Sequence, residues 1–216
     1  MIRQNFEKQL EELNEELLKM GSLVEERIYK AVTSLKEKDL ELAEEVSEND
    51  DDLDDYELEI EQKCIKLIAL QQPVAKDLRQ INMISKMVTD LERIGDLAQN
   101  ISWITMELEG EELIKPLVDI PRMSELVQLM VREALAAFVE QDAEKAKEIA
   151  KKDDQVDELD EQILRELLTY MMEDPSAIKQ CNSLIFVSRY LERIGDHATN
   201  ICERIVYMIT ADRVSY

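Results

Sequence analysis

The sequence predicts an all-α fold built from two copies of one three-helix unit, on three observations. First, Leu91-Glu92-Arg93-Ile94-Gly95-Asp96 returns letter for letter as Leu191-Glu192-Arg193-Ile194-Gly195-Asp196, 100 residues later in a chain of 216. Second, the correspondence extends upstream. Val24, Ala31, Leu35, Asp39, Ala43, Val46, Asp50, Asp54 and Ile60 each find a counterpart 103 residues on, in Val127, Ala134, Phe138, Asp142, Ala146, Ile149, Asp153, Asp157 and Ile163. Pro73 and Pro175 lie 102 apart, so the register drifts by three where loops absorb deletions. Third, only four Gly and four Pro interrupt the chain. Helix-forming residues recur at 3.6 spacing and period-2 alternation is absent.

Six helices follow in order, near 2–38, 40–71, 75–109, 121–140, 143–173 and 176–211. Asp39 before Leu40-Glu41-Leu42 reads as an N-cap, and Asp142 before Ala143-Glu144 is its counterpart. Pro73 and Pro175 separate the second helix of each half from the third. Gly110, Pro116 and Pro121 mark the linker between halves, giving two pseudo-symmetric three-helix bundles at 1–112 and 113–216.

Charge narrows the function classes. With 49 acidic against 26 basic residues the net charge is −23, which argues against a nucleic-acid partner and against attraction to anionic lipid. The longest uncharged stretch, Leu97 to Met106, has ten residues and is too short to span a bilayer. The N-terminal residues carry no apolar signal segment. Cys64, Cys181 and Cys202, odd in number and widely spaced, read as reduced, packed cytosolic thiols. One histidine, His197, leaves little scope for acid–base catalysis and is expected to pack or face solvent. The glycines are isolated, so no phosphate-cradling loop is present.

The charges of the third helix in each half form a stripe. At about 100° per residue, Glu92 and Asp96 lie about 40° apart and Asn100 a further step round; Glu192, Asp196 and Asn200 repeat this. On the second helix Asp50, Asp54, Glu57 and Glu61 share one narrow face. Its counterpart keeps Asp153, Asp157 and Asp160, with Leu164 in the fourth place. Like charges at i,i+4 destabilise a helix, and burial raises that cost. Either a hard cation offsets it, since carboxylate and Asn oxygens suit such ions, or Arg93 and Arg193 neutralise the stripe as ion pairs. The second-helix acids outnumber one arginine per half and favour the cation. Gly95 and Gly195, mid-helix, indicate close approach of a neighbouring helix or a ligand, packing being the simpler reason.

With these residues the chain resembles the PhoU phosphate-signalling regulators over essentially its whole length. The repeated Leu-Glu-Arg-Ile-Gly-Asp carries the resemblance, with Met20-Gly21, the Gln71-Gln72-Pro73-Val74-Ala75-Lys76-Asp77-Leu78-Arg79 segment and Asp196-His197-Ala198-Thr199-Asn200-Ile201. The resemblance implies a cytoplasmic, non-enzymatic negative regulator of phosphate uptake and phosphate-starvation signalling. It implies an adaptor between the ATPase subunit of a phosphate ABC transporter and a sensor histidine kinase, with a homodimer expected. It implies metal binding at Glu92/Asp96 and Glu192/Asp196, with Asp50/Asp54 and Asp153/Asp157 on the neighbouring helices; the shared helix faces add Glu57 and Asn100 to the first predicted site and Asp160 and Asn200 to the second, for Mg, Mn, Zn or Fe. Gln99 faces Thr199 and Glu61 faces Leu164 across the repeat, so the two sites need not be equivalent. The Gln-Gln-Pro segment becomes Glu173-Asp174-Pro175 in the second half, so a partner surface built from it is one-sided. Two other readings remain: an all-α Mg²⁺-dependent nucleotide pyrophosphatase, which favours i,i+3 acids, and a structural bundle with ion-paired acidic rows.

Overall fold

A computed structural model describes residues 2–48 and 51–216. Eight α-helices and no strand occur among the described residues: α1 (Ile2–Glu37), α2 (Leu40–Glu48), α3 (Asp51–Gln71), α4 (Ala75–Glu107), α5 (Asp119–Glu140), α6 (Ala143–Ala150), α7 (Asp153–Glu173) and α8 (Ile178–Thr210). The six-helix plan holds, except that the middle helix of the second half is broken once. At Lys151-Lys152 the helical ladder lapses into a turn, with Lys152 N–H donating to Ile149 O at 2.9 Å, and α7 restarts at Asp153. Residues 49–50, which include the predicted site residue Asp50, lie outside the described residues. Helix α6 buries Ala146, Ile149 and Ala150, and both α6 and α7 pack on α8.

The other boundaries shift by a residue or two. Helix α5 begins at Asp119, so Pro121 sits in its first turn, where a missing N–H costs no helical bond. A 3₁₀ turn at Pro175–Ala177 precedes α8, with Asp174 Oδ1 accepting from Ser176 N–H. Both expected caps form: Asp39 Oδ1 accepts from Leu42 N–H and Asp142 Oδ1 from Lys145 N–H, each at 3.0 Å. The residues just before them, Lys38 (φ 56°) and Gln141 (φ 52°), close both turns in the left-handed region without a glycine.

Apolar residues of α1 at Leu13, Leu17, Met20, Val24, Ile28, Ala31 and Leu35 recur every three or four positions and are buried. That stripe meets both α4 and α5, and α8 closes the set by packing on α4 and α5. The two halves therefore share one continuous apolar core, with α2 and α3 against α4, and α6 and α7 against α8. Helices α4 and α8 are covered on several sides, which explains why their charges are few. Where they cross, buried Asp90 accepts from Arg204 Nε at 2.5 Å, and its other oxygen lies 3.1 Å from His197 Nδ1. His197 thus packs at the seam between halves. The linker is anchored by Gln180, whose Oε1 accepts from Ile114 N–H (2.6 Å) and whose Nε2 donates to Glu112 O (2.9 Å). Cys64, Cys181 and Cys202 are free and buried, and burial pushes the Cys64 and Cys202 thiols up to about 12. No helix among the described residues is long and apolar enough to cross a membrane.

Candidate metal centres

In the first half, α3 presents Asp54 and Glu57 beside Glu92 and Asp96 of α4. Glu92 is the enclosed member, 8% exposed. Burial, then the Asp96 charge, with smaller contributions from Glu57 and Asp54, push its carboxyl up to about 7 against the opposing pull of Arg93. Arg93 lies 3.3 Å from Glu92 Oε2 through Nε and bonds Asp96 Oδ2 at 3.0 Å through Nη1. Yet the buried Glu92 Oε2 receives no well-formed hydrogen bond. Glu57 Oε1 accepts from Thr89 Oγ1 at 2.8 Å. Asp54 is exposed, and Asn100 is half-buried one turn beyond Asp96.

The second half reaches a similar state with different partners. Burial first, then Asp196, Asp157 and Glu192, raise the Asp153 carboxyl to about 7. The Thr199 hydroxyl alongside gives partial relief, but neither Asp153 Oδ1 nor Thr199 Oγ1, both enclosed, has a well-aligned hydrogen-bond partner. Burial, followed by Asp196, also raises Asp157 and Glu192 above the ordinary carboxylate range. Asp160 is buried and satisfied: Ser188 Oγ donates to Oδ1 at 2.7 Å, and Arg189 Nη1 lies 2.9 Å from Oδ2. Arg189 also reaches Glu192 at 3.7 Å. Arg193, expected to mirror Arg93, is exposed and makes no ion pair among the described residues; Arg189 takes its place. Asn200 is half-buried, and Asp157 and Asp196 are exposed.

The two glycines admit different neighbours. A Cβ on Gly95 would stand 2.3 Å from Leu53 Cδ1 and 3.6 Å from Arg27 Nη1. A Cβ on Gly195 would stand 2.6 Å from Asp153 Oδ1 and 3.3 Å from Val156 Cγ1. Packing is the reason at Gly95, whereas Gly195 also makes room for a carboxylate.

The sequence-predicted acids that fall within the described residues therefore gather into two clusters, one per half, and Asn100 and Asn200 stand one turn beyond Asp96 and Asp196 on the same helices. Among the described residues no three His, Cys, Asp or Glu side chains already stand in coordination geometry. What fits a hard cation is the donor set: Glu92 and Asp153 held protonatable near neutrality, each with an enclosed carboxylate oxygen lacking a hydrogen bond. Thr89, Ser188, Arg189 and Arg27 escaped sequence reasoning, whereas Thr199 is marked by its pairing with Gln99 across the repeat. Thr89, Ser188 and Arg189 lie three or four residues before Glu92 or Glu192, a helical spacing that could have flagged them.

The fold and the clusters define the class: an internally duplicated all-α bundle with one acidic cluster between two helices of each half. The PhoU domain model matches residues 17–105 and again 120–205, and the chain belongs to the PhoU family. Similar proteins include the phosphate-specific transport system accessory protein PhoU homolog of Clostridium acetobutylicum, 46% identical over 99% of this chain and 98% of its own. The phosphate-specific transport system accessory protein PhoU of Escherichia coli is 36% identical over 96% of this chain and 86% of its own. The crystal structure of PhoU from Pseudomonas aeruginosa superposes with a TM-score of 0.91 at 43% identity, covering 96% of this chain and all of that one. These relatives are named as accessory proteins, not enzymes, and the non-enzymatic reading rests on that.

Proposed function

We propose that this chain is an accessory protein of a phosphate-specific transport system and a negative regulator of phosphate uptake and phosphate-starvation signalling. It acts in the cytoplasm as a homodimeric adaptor between the transporter's ATPase subunit and a sensor histidine kinase. The observation that carries this reading is family membership across both repeats. The acidic surface suits a basic docking patch on the partner, so binding weakens as salt rises. Deleting the gene, with any paralogue, should leave phosphate-starvation genes switched on in phosphate-rich medium; normal silencing argues against the role.

The repeats at 1–112 and 113–216 each hold one divalent or trivalent cation site. Asp54, Glu57, Glu92, Asp96 and Asn100 would serve the first, with Asp50 from outside the described residues. Asp153, Asp157, Glu192, Asp196 and Asn200 would serve the second. Asp160, bound through both oxygens, orients Arg189 unless it exchanges those bonds for the ion. A bound cation would offset the like-charge repulsion that holds Glu92 and Asp153 up. The chain's own part is to enclose those oxygens and keep the stripes facing each other. Millimolar Mn²⁺ or Mg²⁺ should raise the melting temperature, since a ligand that binds only the native state stabilises it by RT ln(1 + [L]/Kd). Glu92→Gln with Asp96→Asn should blunt that rise. An undiminished response in the double variant, or none in the parent, removes the first-half assignment. Silence in the parent favours the ion-paired bundle, for which the Arg93 contacts with Glu92 and Asp96 speak.

A further inference from the structure

Arg27 lies in the interior of α1 at 8% exposed, an unusual place for a guanidinium in a helical core. The repeat answers it 103 residues on with Met130 of α5, fully buried and uncharged. Arg27 Nη1 sits 3.6 Å from where a Cβ on Gly95 would be. That puts the guanidinium against α4, three residues after Glu92 and one before Asp96. At the matching glycine of the second half the neighbour is a carboxylate, with Asp153 Oδ1 2.6 Å from a Cβ on Gly195. There the enclosed Asp153 Oδ1 and Thr199 Oγ1 are left without well-formed hydrogen bonds.

Other arginines balance between the halves. Arg93 pairs with Glu92 and Asp96 in the first, and Arg189 with Asp160 and Glu192 in the second. Arg27 is the additional cation, and it cannot be neutralised by losing a proton. We propose that Arg27 is a resident cation that weakens divalent-cation binding by the first half, so that the second half is the tighter site and fills first. The inference rests on the metal reading above. It goes beyond it by ranking the two sites and naming the residue that sets the rank. A fixed positive charge against α4 at Gly95, between Glu92 and Asp96 in the chain, repels an incoming cation, and partial burial limits screening. In the second half Met130 stands where Arg27 does, the neighbour of the glycine is the Asp153 carboxylate, and an external cation would supply what Asp153 lacks.

Calorimetric titration of the full chain, stripped with chelator, with Mn²⁺ alone tests this. The parent should show two classes of site differing by about tenfold or more, the scale expected of one nearby unit charge at intermediate dielectric. Asp157→Asn with Asp196→Asn should remove the tighter class. In that background Arg27→Met, which installs the residue the repeat already uses, should tighten the remaining class by about tenfold. Arg27→Gln, which keeps a polar side chain, should do so in the same direction, and melting in chelator checks that each variant folds. First-half affinity unchanged within about twofold in both variants overturns the proposal, and so does a parent in which the first half binds more tightly. Mn²⁺ binding that ignores residue 27 defeats this inference alone. No Mn²⁺ binding by the parent defeats the metal reading along with it.

Discussion

The two halves repeat one backbone and one set of acids, yet they neutralise those acids with different residues. In the first, Arg93 pairs within its own helix, Thr89 bonds Glu57, and Arg27 approaches Gly95 from α1. In the second, Arg189 and Ser188 satisfy Asp160, Arg193 faces solvent, and Met130 replaces the buried guanidinium. The Asp39 and Asp142 caps and the left-handed Lys38 and Gln141 just before them, by contrast, coincide position for position. A cap works only at one place on a helix, so its position cannot wander. A long arginine can reach the same carboxylate from several positions, so the neutralising residue can migrate while the acid stays.

The largest effect should come from the contact that has no counterpart. Asp90 is buried between Arg204 and His197, and its repeat partner is Tyr190. Asp90→Ala should cost about 2–3 kcal/mol in urea unfolding, below the full cost of breaking a buried pair because Arg204 and His197 can turn partly to water. A loss below about 0.5 kcal/mol would show that apolar packing alone joins the halves.

Next is the response to pH, where a tenfold change in the acidity of one carboxyl is worth about 1.4 kcal/mol before screening is discounted. Glu92 and Asp153 have folded-state values raised to about 7. A raised carboxyl contributes stability that is fully present below its unfolded value, near 4, and is lost as pH rises through 7. The metal-free protein should therefore lose stability between about pH 5 and 8. Glu92→Gln and Asp153→Asn should each remove part of that slope, and Mn²⁺ should protect more at pH 8 than at pH 6. A slope unchanged in both variants would place its origin elsewhere.

The glycines sharpen the comparison further. Gly95→Ala drives a methyl into Leu53, which at 2% exposed has little freedom to move, so overpacking of about 1–3 kcal/mol should outweigh about 1 kcal/mol of helix propensity. Gly195→Ala displaces the half-buried Asp153 carboxylate, which can swing outward. It should cost less stability but more of the Mn²⁺-induced rise in melting temperature. The reverse ranking would mean that Gly195 serves packing and Gly95 the site. Last, Asp39→Ala and Asp142→Ala should each cost about 1 kcal/mol and match closely, a control in which the halves ought to agree.

Much of this molecule was legible in the sequence by itself. The duplication, the helical class, both Asp caps and the shared face of Glu92 with Asp96 follow from local periodicity, which needs no knowledge of neighbours. The turn between α6 and α7 escaped, because Lys151-Lys152 contains neither Gly nor Pro to announce it. Arg189 in place of Arg193, the enclosure of Thr199 beside Asp153, and Arg27 against Gly95 were decided by which helices pack together. Composition and spacing place a charge on a helix face. Only packing sets how deeply that face is buried and which side chain from another helix reaches it, and those two quantities control the energy of a carboxylate.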